Sequence, residues 1–255
     1  MTLLQAIGLF LTAVVGGTLN AVAGGGSFVT FPALLLTGVL PKSANATSTV
    51  ALWPGSVASA SGYRGNLSVK RPVLLLLSGV SVLGGVVGAV LLLLTPQATF
   101  SRLVPYLLLA ATLLFAFGGR ITARLPKRMP LHERQSWGSL LPFAIVQFVI
   151  AVYGGYFGGG IGILMLAAFA LMGMERIHSM NALKNIVASC INGVAVVTFI
   201  LARIVAWPQA LVMVAGAITG GYGAAAIARR IDPRLVRRFV IAVGLAMVIW
   251  FLPWR

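Results

Sequence analysis

The chain has 255 residues, of which 59% are hydrophobic and only 9% charged, with a formal net charge of +16. Soluble domains carry roughly a quarter charged residues, so this composition excludes one, and the longest polar stretch, 120–137, leaves no room for a second module. The positive balance does not point to nucleic acid, because no soluble module presents it, and topogenic charge on cytoplasmic loops accounts for it.

Apolar runs near twenty residues recur along the whole length, as membrane helices require. Runs such as 73–94 and 103–117 lack the apolar–polar alternation of barrel strands. The expected class is therefore an all-α polytopic membrane protein, a single transmembrane domain over 1–255 in contact with the lipid bilayer. In chain order, the first half reads as apolar segments 3–23, 27–40, 43–63, 72–94 and 103–119. The first ends in Ala21-Val22-Ala23, which resembles a signal-peptidase site, but no Lys or Arg precedes it. It also has a counterpart in the second half, so it is read as a retained helix. A basic loop, 120–137, then leads to segments 139–157, 161–174, 178–201, 206–228 and 239–253. The second segment of each half is short. Its fourteen residues of helix reach about 21 Å, against a hydrocarbon core of about 30 Å, so these segments are expected to cross incompletely or to belong to broken helices.

The two halves match in order. A shift of 136 residues places Asn45 on Asn181, Pro72 on Pro208, Gly84-Gly85 on Gly220-Gly221 and Arg102 on Arg238. A shift of 134 places Gly24-Gly25-Gly26 on Gly158-Gly159-Gly160. This ordered set indicates internal repeats, 1–119 and 138–255. If all ten segments change sides with the basic loop in the cytoplasm, fourteen Lys and Arg residues fall inside. Only Lys42, Arg102, Arg203 and Arg255 fall outside. Five crossings per half, an odd number, invert the second repeat relative to the first, the plan of many secondary transporters.

A matched pair of glycine-broken segments is the strongest sequence pointer to a transporter's binding site. Here that pair is Asn20 with Gly24, Gly25, Gly26 and Ser27, and Gly158, Gly159 and Gly160. Bare backbone N–H groups and the positive start of the following helix suit an anion; close helix packing through small residues is the competing reading. A second polar cluster follows each short segment. Asn45, Ser48 and Thr49 share one helical face, as do their shifted partners Asn181, Lys184 and Asn185. Lys184 stands inside an apolar segment with no acidic neighbour in sequence, which marks a functional position unless it snorkels to the interface. The three acidic residues, Glu133, Glu175 and Asp232, all fall at segment ends. The interior is thus rich in donors and poor in carboxylates, which favours a small anionic substrate over a cation. His178, beside Glu175 and Arg176, reads as a helix-end residue. Two histidines and the single Cys190 supply no metal or catalytic set, so neither enzyme chemistry nor a cofactor is expected.

The run from Asn20 through Gly24-Gly25-Gly26-Ser27-Phe28, Pro32-Ala33-Leu34-Leu35, Pro41 and Ala44-Asn45-Ala46-Thr47-Ser48 resembles the TauE/SafE-type sulfite exporter family of bacterial membrane proteins. Gly158-Gly159-Gly160-Ile161-Gly162, Met180-Asn181-Ala182 and Lys184-Asn185 continue the resemblance in the second half, so it covers nearly the whole chain. It implies an inner-membrane transporter of sulfite, sulfoacetate, other sulfonates or related anions. An anion channel and a non-transporting assembly protein stay open as alternatives, as do the direction of transport and a homodimeric state.

Overall fold

The computed structural model describes residues 1–22, 24–62, 67, 69–124, 137–174, 176–227 and 233–251. Most of the basic loop, Glu133, Glu175 and Asp232 lie outside these residues, and so does the side chain of His178. The described residues form ten α-helices and no strand. The first half holds α1 (Leu3–Val22), α2 (Ser27–Leu36), α3 (Pro41–Gly62), α4 (Arg71–Leu94) and α5 (Gln97–Arg124). The second holds α6 (Trp137–Tyr156), α7 (Ile161–Leu171), α8 (Ile177–Leu201), α9 (Trp207–Ile227) and α10 (Pro233–Phe251).

Each apolar segment of the sequence holds one helix. The largest difference is α5, expected over 103–119 but running from Gln97 to Arg124. An apolar run marks only the part of a helix that lipid requires, and the backbone continues helically into the polar residues at either end. Among the described residues, four stretches combine the length and apolarity needed to cross a bilayer: Leu3–Ala21, Arg71–Leu94, Gln97–Leu114 and Ser179–Leu201. The protein is an all-α, multi-span membrane bundle. At ten and eleven residues, α2 and α7 reach only about 15–17 Å, half of a hydrocarbon core.

The distribution of polarity is that of a protein in lipid. Leu75, Leu83, Leu94, Leu211 and Trp250 face outward, while Asn45, Thr47, Ser48, Lys184 and Asn185 are buried. Lipid tails are as apolar as leucine, so helix association relies on close packing rather than on the hydrophobic effect. Helix α1 packs on α9 and α4 on α6, α3 packs on α9 and α4 on α8, α3 crosses α8, and α5 meets α10. Glycines set the closest of these approaches. Gly84 and Gly88 of α4 lie against the α6 backbone at Phe148 and Val152, and Gly216 and Gly220 of α9 lie against the α1 backbone at Phe10 and Val14. A methyl group at any of the four would strike a backbone atom.

Polar contacts tie one end of the bundle together. Lys42 Nζ, at the start of α3, donates to the carbonyls of Leu93 (3.0 Å) and Thr95 (2.7 Å) at the end of α4. A cation there complements the negative end of the helix dipole. The Ala206 amide, just before α9, donates to Thr47 Oγ1 at 3.0 Å. Aromatic rings fill the space around the two short helices. Phe31 of α2 meets Phe157 edge to face at 5.9 Å, and Phe169 of α7 is fully buried.

Candidate functional site

The breaks before α2 and α7 place a small cavity at the centre of the bundle. Gly24 and Gly158 adopt φ values of +75° and +77°, a left-handed conformation that side chains resist and that turns the chain out of each preceding helix. The first turn meets the start of α7: a Cβ on Gly24 would stand 2.9 Å from Gly162 Cα. Around this contact lies a partly enclosed cavity of about 30 Å³, room for about two water molecules.

Seven of the fourteen sequence candidates line it: Asn20, Gly24, Ser27, Thr49, Gly158, Lys184 and Asn185. Asn20 comes from the last turns of α1, Gly24 and Ser27 from the break, and Thr49 from the middle of α3. Gly158 precedes α7, and Lys184 and Asn185 lie on α8. The polar residues Ser56 and Asn192 complete the lining, with apolar walls from Leu52, Ile161, Gly162 and Ala188. Gly24 and Gly158, and Ser27 and Ile161, stand 134 positions apart. Thr49 and Asn185, Leu52 and Ala188, and Ser56 and Asn192 stand 136 apart.

The hydrogen bonding of the cavity is uneven. On the first-half side, Asn20 Nδ2 donates to Ser56 Oγ at 2.7 Å, and Thr49 Oγ1 donates to the Asn45 carbonyl at 3.0 Å. On the α8 side, Lys184 is 1% exposed and Asn185 5% exposed. Among the described residues, neither Lys184 Nζ nor Asn185 Nδ2 has a hydrogen-bond partner. Buried polar groups are nearly always paired, and an uncompensated buried ammonium is costly. Among the described residues, Lys184 is the only charged side chain in the lining. Neither α2 nor α7 has a side-chain cap hydrogen bond at its N-terminus, so both starts present amide dipoles of the sign that favours an anion.

The other seven candidates sit beside the cavity and contact other parts of the protein. Asn45 Nδ2 donates to the Tyr156 carbonyl at 3.0 Å, joining α3 to the end of α6. Ser48 Oγ shares a 2.6 Å hydrogen bond with Thr30 Oγ1 of α2. Gly25 is buried in the turn, and Gly26 packs on the Gly16 carbonyl and Asn20 Cβ. The carbonyl of Gly159 accepts from the Tyr153 hydroxyl at 2.8 Å, and Gly160 caps α7 beside Ala111. Asn181 Oδ1 is buried without a partner outside the lining. Ser56 and Asn192 lie outside the polar clusters that sequence spacing groups. Asn192 follows Asn185 by two helical turns, so it extends the same face of α8. Among the described residues, no three His, Cys, Asp or Glu side chains come together as a metal site.

Comparison with known proteins now decides the family. The sulfite exporter TauE/SafE family matches residues 9–251, nearly the entire chain. The chain belongs to the sulfite exporter TauE/SafE family. Its relatives include a "Probable membrane transporter protein" of Haemophilus influenzae, 29% identical over 94% of this chain and 91% of the relative. A protein of the same description from a Sinorhizobium species is 25% identical over 94% and 90%. The Escherichia coli K12 protein YfcA, also described as a probable membrane transporter, is 25% identical over 94% and 86%. No solved structure matches the chain. Like other TauE/SafE proteins, this one is a multi-pass inner-membrane transporter of small anions and not an enzyme.

Proposed function

We propose that this TauE/SafE protein moves sulfur oxyanions, namely sulfite, sulfoacetate or other sulfonates, outward by alternating access around the Lys184 cavity. One observation supports the reading: among the described residues the buried Lys184 ammonium has no hydrogen-bond partner, and Lys184 lines a small cavity whose other polar side chains are neutral. An oxyanion supplies the missing charge and accepts from Lys184 Nζ and Asn185 Nδ2. The starts of α2 and α7 add their amide dipoles.

The mechanism rests on two inverted repeats, 1–119 and 138–255, joined by the cytoplasmic loop 120–137. Three things support it. The lining contains five pairs of residues separated by the repeat shifts. The packing of α1 on α9 corresponds to that of α6 on α4, and α3 on α9 to α8 on α4. The cavity also draws on the central turns of α3 and α8, as expected of a site near the bilayer midplane. Net export of a monovalent anion from an inside-negative cell is favoured by about 2.3 kcal/mol per 100 mV.

Purified protein in proteoliposomes tests this reading. Flux of sulfite, sulfonates, sulfate and chloride is compared across concentrations. The proposal expects saturable flux with preference for the sulfur oxyanions. Flux that rises linearly with concentration indicates a channel, and no flux from a folded protein indicates the assembly role.

A further inference from the structure

We infer that the protein is an anion exchanger, in which the carrier returns across its closed state with a second anion bound far faster than it returns unloaded. The inference rests on the proposed role of the Lys184 cavity and adds to it the mode of transport.

In alternating access the site must pass through an enclosed conformation in each direction. The structure comes close to such a conformation, with a partly enclosed cavity of about 30 Å³ walled by both halves of the chain. Among the described residues, none that lines it neutralises Lys184: the other lining side chains are Asn, Ser, Thr or apolar. No described residue accepts a hydrogen bond from Nζ, and Lys184 is 1% exposed. The nearby helix starts of α2 and α7 contribute positive potential and so add to the burden. The counterpart of Lys184 at a shift of 136 is Ser48, whose hydroxyl is bound to Thr30, so the first half offers no compensating partner.

With a monovalent oxyanion bound, the closed cavity is electrically neutral and Lys184 is hydrogen-bonded. Without one, closure leaves a bare ammonium in a low-dielectric interior, the arrangement that makes broken buried ion pairs strongly destabilising. The unloaded return therefore has the higher barrier. Exchange of an internal for an external anion avoids it, because both passages are made loaded.

The test compares two rates in the same proteoliposomes loaded with radiolabelled sulfite, with the membrane potential clamped by potassium and valinomycin. Efflux is measured into sulfite-free medium and into medium with saturating unlabelled sulfite. The expected result is exchange at least roughly tenfold faster than net efflux, from the penalty on an uncompensated buried charge. Lys184→Gln, which keeps a donor and removes the charge, should bring the two rates together. Saturable, Lys184-dependent flux with equal rates in wild type would overturn the exchanger while leaving the Lys184 cavity as the anion site. Flux indifferent to Lys184 would overturn both. The wild-type comparison stands alone if the variant fails to fold.

Discussion

The indole Nε1 of Trp53 donates a 3.0 Å hydrogen bond to the backbone carbonyl of Ser189, a residue 136 positions further along the chain. That separation equals the shift that aligns Asn45 with Asn181 and Ser56 with Asn192. In the two-repeat reading, α3 and α8 therefore cross where the chain meets its own counterpart. Gly193 leaves room for the indole, since a Cβ there would stand 3.2 Å from Trp53 Nε1.

Trp53→Phe keeps much of the ring packing and removes the donor. Hydrogen bonds between membrane helices contribute on the order of 1 kcal/mol. The variant should lose about that much stability in equilibrium unfolding in mixed micelles while still inserting. Unchanged stability would mean that the bond contributes nothing at this crossing.

Two glycines separate backbone strain from close approach. Gly24 has φ +75° and packs against Gly162, whereas Gly38 has φ +83° and open space around its Cβ direction. Gly38→Ala should cost only the left-handed strain, about 1–2 kcal/mol, and leave sulfite flux intact. Gly24→Ala should also force the first turn away from the start of α7 and abolish flux in a membrane-inserted protein. Parallel assays of insertion, stability and flux check both, and a fully active Gly24→Ala would show that the contact between this turn and α7 is dispensable.

Much of the fold was legible because lipid imposes a simple rule. A span must satisfy its own backbone, so each long apolar run had to be a helix. The Gly24 and Gly158 breaks were visible for the same reason, since glycine triplets interrupt otherwise continuous apolar runs. The site was legible only in part. Helical spacing groups Asn45, Ser48 and Thr49 on one face, but spacing does not say which neighbour covers each part of it. Asn45 faces the end of α6, Ser48 faces Thr30, and only Thr49 reaches the cavity. The glycine triplets divide in the same way. Gly24 and Gly158 reach the cavity, while Gly26 lies on Gly16 and Gly159 lies against the Phe157 ring. Asn192 escaped notice as a lone polar residue in an apolar stretch, two turns beyond the cluster it belongs to.

Topology gives an independent prediction. The fourteen-to-four distribution of Lys and Arg outside the apolar segments predicts both termini in the periplasm and the 120–137 loop in the cytoplasm. A reporter fused after Arg255 should be active only in its periplasmic form. Activity only in the cytoplasmic form would contradict five crossings per half and favour eight crossings with re-entrant short segments.

The most direct measurement is saturable sulfite uptake by proteoliposomes carrying wild type, Lys184→Met or Lys184→Arg, each shown to insert normally. Removing one partner of a desolvated, hydrogen-bonded charge pair costs roughly 2–5 kcal/mol. Lys184→Met, which keeps much of the apolar stem, should therefore lose more than tenfold in apparent affinity. Lys184→Arg keeps the charge in a different geometry and should retain partial function. Near-native affinity and rate in Lys184→Met would contradict the account and remove Lys184 from the anion's path.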